Sequence, residues 1–193
     1  MKHHIGLLVC TLVLFACSKK NPIETNPTRP DFLPISTGTW WKYSCRVGAY
    51  TDSIGAIDTA YDGRQVFICY RIGSSIDSSY YHKSQQGVWH YRTKDDVKPR
   101  WIMKHPLVIG DKWEEARDSS VCVYDSLYVM ASGTISVPAG VFADCYQLKR
   151  VVERKKGNQK DQIIQFLWYA PNVGYVYESF VVDTVKLTQY SIK

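Results

Sequence analysis

Thr134-Ile135-Ser136-Val137-Pro138-Ala139-Gly140-Val141-Phe142 decides the fold class. Apolar and polar side chains alternate up to Val137, and β-branched and aromatic residues resume beyond Gly140 over residues 142–152. A period of two in such residues marks a strand with one buried face. Pro138 at the second and Gly140 at the fourth position of a β-turn fit a type I turn. The stretch therefore reads as strand, turn, strand.

The same pattern recurs outward in both directions. Candidate strands occupy 39–49, 64–72, 78–84, 88–93, 101–104, 121–130, 133–137, 142–152, 162–169, 175–182 and 185–192. Asp62-Gly63 and Lys156-Gly157-Asn158 supply hairpin chemistry between them. No segment carries a helical stripe, and 111–119 holds one or two helical turns at most. The expected architecture is all-β: a single curved antiparallel sheet, or half-barrel, of about 9–11 strands.

Turns leading into strands carry an echo. Pro34-Ile35-Ser36-Thr37-Gly38-Thr39-Trp40-Trp41 and Pro106-Leu107-Val108-Ile109-Gly110-Asp111-Lys112-Trp113 share the spacing Pro-x-x-x-Gly-x-x-Trp. Pro holds an extended approach, Gly permits a bend, and Trp buries a large surface at the start of the next strand. Two copies predict two similar sheet halves; chance recurrence of common turn residues is the alternative. Trp41, Trp113 and Trp168 are candidate core anchors, or the lining of an apolar cup.

The N-terminus is built for export. Met1 to His4 form a short basic start, Ile5 to Ala16 form an apolar run, and Leu14-Phe15-Ala16-Cys17 resembles a bacterial lipobox. That resemblance implies removal of residues 1–16 and a diacylglyceryl group on the Cys17 thiol. The apolar run is too short for the ~20 residues a membrane-spanning helix needs. Residues 17–31, with Pro22, Pro27 and Pro30 and no aromatic before Phe32, read as a lipidated tether spanning about 20 Å. Residues 32–193 form one β-rich domain. In the sorting rule that goes with the lipobox, Asp after the cysteine retains a protein at the inner membrane; Ser18 stands there instead, so the expected location is the periplasmic face of the outer membrane.

Charge narrows the partners. The chain carries 24 Lys and Arg against 18 Asp and Glu, a formal net charge of +6. The excess is modest and spread out, unlike the dense stripe of a nucleic-acid binder, so no nucleic acid is expected. Arg154, Lys155, Lys156 and Lys160, with Lys149 and Arg150 below them, surround one hairpin tip. They form a candidate surface for anionic lipid or an envelope polymer, or else ordinary edge protection.

Four of the six cysteines fall in the domain: Cys45, Cys69, Cys122 and Cys145. In an oxidising compartment an even count suggests disulfides, with Cys122–Cys145 and Cys45–Cys69 the preferred pairs. Buried free thiols are the alternative. Nothing has metal-ligand spacing, and no cofactor is expected. His82, His90 and His105 stand in no catalytic motif. Asp95-Asp96 and Glu114-Glu115 are sequence neighbours whose side chains would point to opposite faces of a strand. A non-enzymatic protein is expected.

Val137-Pro138-Ala139-Gly140-Val141-Phe142 and Trp168-Tyr169-Ala170-Pro171-Asn172-Val173-Gly174, together with Pro34…Gly38…Trp41 and the lipobox, resemble an uncharacterised family of bacterial lipoproteins labelled TapB-like. The resemblance spans about 32–182. Through it the chain is similar, in architecture only, to the LolA/LolB-like half-barrels, whose curved antiparallel sheet cups an apolar cavity. It implies an envelope protein that binds an apolar ligand or an envelope component. A protein-interaction module with a filled core is the second reading, and a hydrolase of an envelope polymer the third.

Cys17→Ser should block lipidation and signal removal together. The variant is expected to keep its precursor size and to leave the outer-membrane fraction, which gel mobility and membrane fractionation would show.

Overall fold

The computed structural model describes residues 29–116, 122–156 and 159–193. Cys17, the signal segment, most of the tether and Gly157-Asn158 lie outside the described residues, as do the side chains of Cys122, Lys155 and Lys156. Strands β1 (Trp40–Cys45), β2 (Gly48–Thr59), β3 (Gln65–Ile72), β4 (Ile76–Ser84), β5 (Gly87–Tyr91) and β6 (Arg100–Lys104) form one meander. Strands β7 (Lys112–Ala116), β8 (Cys122–Val137), β9 (Gly140–Lys156), β10 (Gln159–Ala170), β11 (Gly174–Phe180) and β12 (Asp183–Ser191) form a second. Pairing of β1 with β12 joins them into one 12-stranded antiparallel sheet, ordered β6-β5-β4-β3-β2-β1-β12-β11-β10-β9-β8-β7. The sheet curls until its two edges, β6 and β7, nearly meet. Among the described residues there is no helix.

The Pro-x-x-x-Gly-x-x-Trp echo corresponds to a repeated piece of structure. Gly38 and Gly110 both adopt positive φ (87° and 96°), a bend that a side chain would strain. Gly38 N donates to Ile54 O and Gly110 N to Val129 O; Ile54 N donates to Thr39 O and Val129 N to Asp111 O. Thr39 N to Ser36 O and Asp111 N to Val108 O complete the match. The first strand of each six-stranded half thus starts in the same way. Each bend is preceded by a segment that tucks in its central aliphatic residue, Ile35 in one half and Leu107 in the other, and both are buried.

Because consecutive strands are antiparallel, the chain termini and the β6–β7 connection fall at one end of the sheet, and the β1–β2, β3–β4, β9–β10 and β11–β12 turns at the other. Phe32, Leu33, Ile35 and Leu107 fill the first end and join the main core with Val173, Trp41 and Leu187. Asn172 N donates to Asp31 O at 2.7 Å, Lys83 Nζ donates to Leu33 O at 3.2 Å, and Lys83 also pairs with the Asp31 carboxylate. An apolar plug made by the chain's own approach segment therefore closes this end.

Three sequence expectations change. Residues 39–49 are not one strand: the chain reverses at Arg46-Val47, and β2 runs on to Thr59. Its inward row is Tyr50, Asp52 and Ile54, and a carboxylate in the middle of that row hides the alternation. Residues 121–130 and 133–137 are one strand, β8, whose register shifts between Val129 and Ala131 and again between Gly133 and Ile135; each irregularity breaks the period. At 111–119, β7 replaces the short helical turns, because Trp113 fits opposite Leu127 in the β8 ladder.

The disulfide expectation is also corrected. Cys45, Cys69 and Cys145 carry free thiols. Cys45 lies opposite Gly48 on one side of β2, while Cys69 lies opposite Ile54 on the other, so they occupy non-adjacent strands at different heights. Cys122 lies opposite Arg154 and Cys145 opposite Gly133, which separates them by roughly 30 Å along the ladder. Burial serves these thiols instead: it pushes Cys69 up to about 12 and Cys145 up to about 11.

Trp41 and Trp113 are each 4% exposed. Trp41 Nε1 donates to Val173 O at 2.6 Å, and Trp113 Nε1 to Trp101 O at 3.3 Å. Trp41→Ala and Trp113→Ala should each cost about 3–5 kcal/mol, read as a fall in denaturation midpoint at unchanged slope.

Candidate binding cavity

Sheet register decides what faces the lumen, since directly opposed residues on neighbouring strands share a face. Trp41 opposes Asp52, and Asp52 opposes Arg71. His90 opposes Arg100. Leu127 opposes Arg150, Arg150 opposes Gln165, and Leu167 opposes Glu178. These rows enclose a cavity of about 330 Å³. Its floor is apolar, made by Leu33 and Ile35 of the plug together with Trp41, Ile54, Leu127 and Leu167. Its collar is charged.

The collar has two clusters. On one wall Arg71 Nε and Nη2 donate to Asp52 Oδ1 and Oδ2, both at 2.8 Å, and the guanidinium lies over the Tyr50 ring at 4.5 Å. The hydrogen bonds that Arg71 donates to Asp52 hold its guanidinium above the usual range, outweighing the partial desolvation of this half-exposed side chain. On the other wall Asp125, 2% exposed, accepts from Arg100 Nη1 at 2.9 Å and from Arg150 Nε and Nη2 at 2.8 and 2.6 Å. Burial pulls Arg150 down, but the hydrogen bonds and charge of Asp125 outweigh it and the net shift is upward.

From Arg150 the network continues across the sheet. Arg150 Nη1 donates to Gln165 Oε1 at 3.1 Å, Gln165 Nε2 to Glu178 Oε1 at 2.6 Å, and Tyr175 Oη to Glu178 Oε2. Tyr43 Oη donates to Tyr175 O at 3.1 Å. Burial, followed by the nearby Glu178 charge, pushes the Tyr175 hydroxyl far above its ordinary value, and burial raises Tyr169 to about 12. The lumen therefore presents protonated phenols. Its guanidiniums, Arg71, Arg100 and Arg150, are matched in number by Asp52, Asp125 and Glu178.

Not every residue expected from the sequence faces this space. Trp41 and Cys69 line the cavity. Trp113 stands at the β6–β7 seam, outside the lining. Trp168 opposes Tyr177 and Gln147, on the face away from Leu167 and Tyr169, so it packs outside the lumen. Arg154 and Lys160 are exposed near the β9–β10 turn. Lys155 and Lys156 are placed only by their position in β9. His90 lines the cavity beside the Tyr81 ring, whereas His82 packs on Trp89 outside. Asp52, Arg71, Arg100, Asp125, Gln165 and Glu178 were not anticipated as site residues. Their signal in the sequence is a charge at an inward position of an alternating run, which becomes legible only once register assigns each its partner.

Two solved structures similar to the chain share this architecture. One is an exported protein with a YmcC-like fold from Bacteroides fragilis NCTC 9343, 13% identical with a TM-score of 0.53, covering 84% of this chain and 99% of its own. Another is a lipoprotein from Parabacteroides distasonis ATCC 8503, 14% identical with a TM-score of 0.53 and the same two coverages. The likeness extends over nearly the whole of both neighbours and concerns the fold. No family model and no curated protein matches the sequence.

Removing the buried Asp125 would leave two largely covered guanidiniums, 21% and 22% exposed, without their shared counter-charge. Asp125→Ala should cost about 3–5 kcal/mol. Asp52→Ala, whose partner Arg71 is half exposed, should cost much less. Parallel denaturant titrations check the order.

Proposed function

We propose that this chain is a lipid-anchored envelope protein that holds one small amphiphile in its barrel and catalyses no reaction. The observation that carries the reading is the cavity itself, an apolar floor beneath a collar in which the charges are already matched. A volume of about 330 Å³ lies at the lower end of the ~300–1,000 Å³ typical of ligand sites. It suits a single short chain or a compact ring system better than a two-chain lipid. A strongly ionic head would need a free counter-charge in the collar. Here Arg71 donates to Asp52, Arg100 and Arg150 share Asp125, and Glu178 accepts from Gln165 and Tyr175, so every carboxylate is engaged and an uncharged, hydrogen-bonding head fits best, addressed by Tyr and Gln side chains.

The same pairing supports a binding role over catalysis. The lumen's phenols are held protonated by burial, which suits them to donate hydrogen bonds to a guest rather than to act as bases. The envelope location is supported by the lipobox and by neighbours described as an exported protein and a lipoprotein. The outer membrane's periplasmic face follows from Ser18 behind Cys17.

Native mass spectrometry of protein extracted in mild detergent tests the reading. A co-purifying uncharged species below the mass of a two-chain lipid is expected, and denaturation should release it. Protein that is empty after every extraction, and that takes up no short-chain amphiphile afterwards, overturns the binding proposal.

A further inference from the structure

One wall of the cavity is not supplied by the sheet. Leu33 and Ile35, which close its apolar end, belong to the approach segment, and both side chains are nearly covered, 9% and 6% exposed. That segment is held by groups other than those two side chains. Asp31 N donates to Asn172 Oδ1 at 3.0 Å, Lys83 Nζ to Leu33 O at 3.2 Å, Thr37 Oγ1 to Gly55 O at 3.0 Å, and Ser36 Oγ to Lys193 O at 2.7 Å. Between the two, Pro34 sits against Gly174, where φ is 101° and a Cβ would come within 3.3 Å of Pro34 Cδ. The backbone is thus pinned, and the size of the Leu33 and Ile35 side chains decides how far the floor rises into the lumen.

The internal echo supplies a reference for this role. Leu107 stands before the Gly110 bend as Ile35 stands before the Gly38 bend, and it is equally buried, 6% exposed. Ile35 lines the cavity, whereas Leu107 does not. The two residues share a packing role, and Ile35 carries a second one. The chemistry of the apolar end indicates what it meets. All the floor side chains except Trp41 are branched aliphatics, and the tyrosine rings belong to the collar. A planar ring gains from aromatic faces, so this end suits an alkyl chain. At ~25 Å³ per carbon, the allotment of benzene in a snug apolar cavity, the 330 Å³ here holds about 13 non-hydrogen atoms.

We propose that the ligand is a single straight alkyl chain of about ten carbons on a compact uncharged head, and that Leu33 and Ile35 set its length. This rests on the binding role proposed above. Trimming either side chain to its Cβ deepens the lumen at the far end of the guest without touching the collar. Each methylene newly buried there strengthens binding roughly fourfold, so the preference moves to longer chains. A larger side chain at Leu33 raises the floor and moves it to shorter ones.

The test exchanges the mature protein, in mild detergent, against an equimolar series of straight-chain diols from hexane-1,2-diol to tetradecane-1,2-diol, and native mass spectrometry reads which masses it retains. Every variant meets the same mixture, so partition into micelles cancels between them. The unsubstituted protein should retain chiefly decane-1,2-diol. In Leu33→Ala and in Ile35→Ala the preference should move up by about two carbons, with the dodecanediol-to-decanediol ratio raised roughly tenfold. Leu33→Phe should move it down. Leu107→Ala, the matched packing control, should keep the parental order. Ile35→Val, which disturbs the fold least, should give a smaller shift of the same sign as Ile35→Ala. The same order in all variants, or a Leu107→Ala shift as large as that of Ile35→Ala, overturns the length assignment and leaves the binding role standing. Retention of no diol by any of them overturns both.

Discussion

Closure of the sheet is carried by side chains, chief among them one carboxylate. A strand edge left open exposes a row of backbone donors and acceptors, and barrels avoid this by joining the last strand to the first. Here β1 and β12 join through a backbone ladder, whereas among the described residues no ladder connects β6 to β7. Asp125 bridges that seam instead. It sits on β8, takes one guanidinium from Arg100 on β6 and another from Arg150 on β9, and so ties the free edge of one half to the body of the other. Burying this triad costs desolvation that its pairing must offset. Its geometric effect is specific: with Arg100 held to Asp125, β6 cannot swing away from β7 and β8.

The two halves put this asymmetry in relief. Equivalent bends at Gly38 and Gly110, equivalent hydrogen bonds to Ile54 and Val129, and equivalent buried tryptophans show the same structural solution used twice. By that equivalence the junction of β6 with β7 corresponds to the junction of β12 with β1. One is zipped by backbone and the other clasped by side chains, Arg100 to Asp125 and the Trp113 indole to Trp101 O. A backbone ladder opens only by unfolding, whereas a side-chain clasp is local. The seam is therefore the weakest line around the circumference, and it runs beside the charged collar.

What could be read from the sequence follows from how locally each feature is encoded. The long hairpin of β8 and β9, its Pro138-Ala139 turn and the Pro171-Asn172 corner, where Asn172 takes a φ of 59°, announce themselves because alternation and turn chemistry act within a few residues. The Pro-x-x-x-Gly-x-x-Trp echo was legible for the same reason. β2 was obscured by Asp52 in its inward row, and β7 by the adjacent Glu114 and Glu115. Each is stable as a strand because of a neighbour remote in sequence, Arg71 for Asp52 and the β8 ladder for β7. The cysteines misled because a compartment favours disulfides only where strand geometry brings Cα atoms within ~7 Å, and register does not. The collar was the least legible part, since no motif relates Arg100, Asp125, Arg150 and Glu178; only closure of the sheet makes them neighbours.

The closing devices at the two ends have opposite chemistry, and this gives the cavity a direction. At one end Phe32, Leu33, Ile35 and Leu107 shut the lumen with apolar side chains that join the core. At the other, paired charges and tyrosine hydroxyls leave a collar that water can wet. From the collar end inward the lumen presents hydrogen-bonding groups first and an apolar floor last, an order that matches an amphiphile oriented with its tail inward. Since the plug is the stretch of chain that leads into the domain, any membrane-attached tether pulls at the sealed end and leaves the open one unobstructed. The approach segment and the mouth thus lie at opposite ends of one short strand, β1, whose two inward aromatic rings belong one to each zone: Trp41 to the floor, and Tyr43, through Tyr175, to the collar.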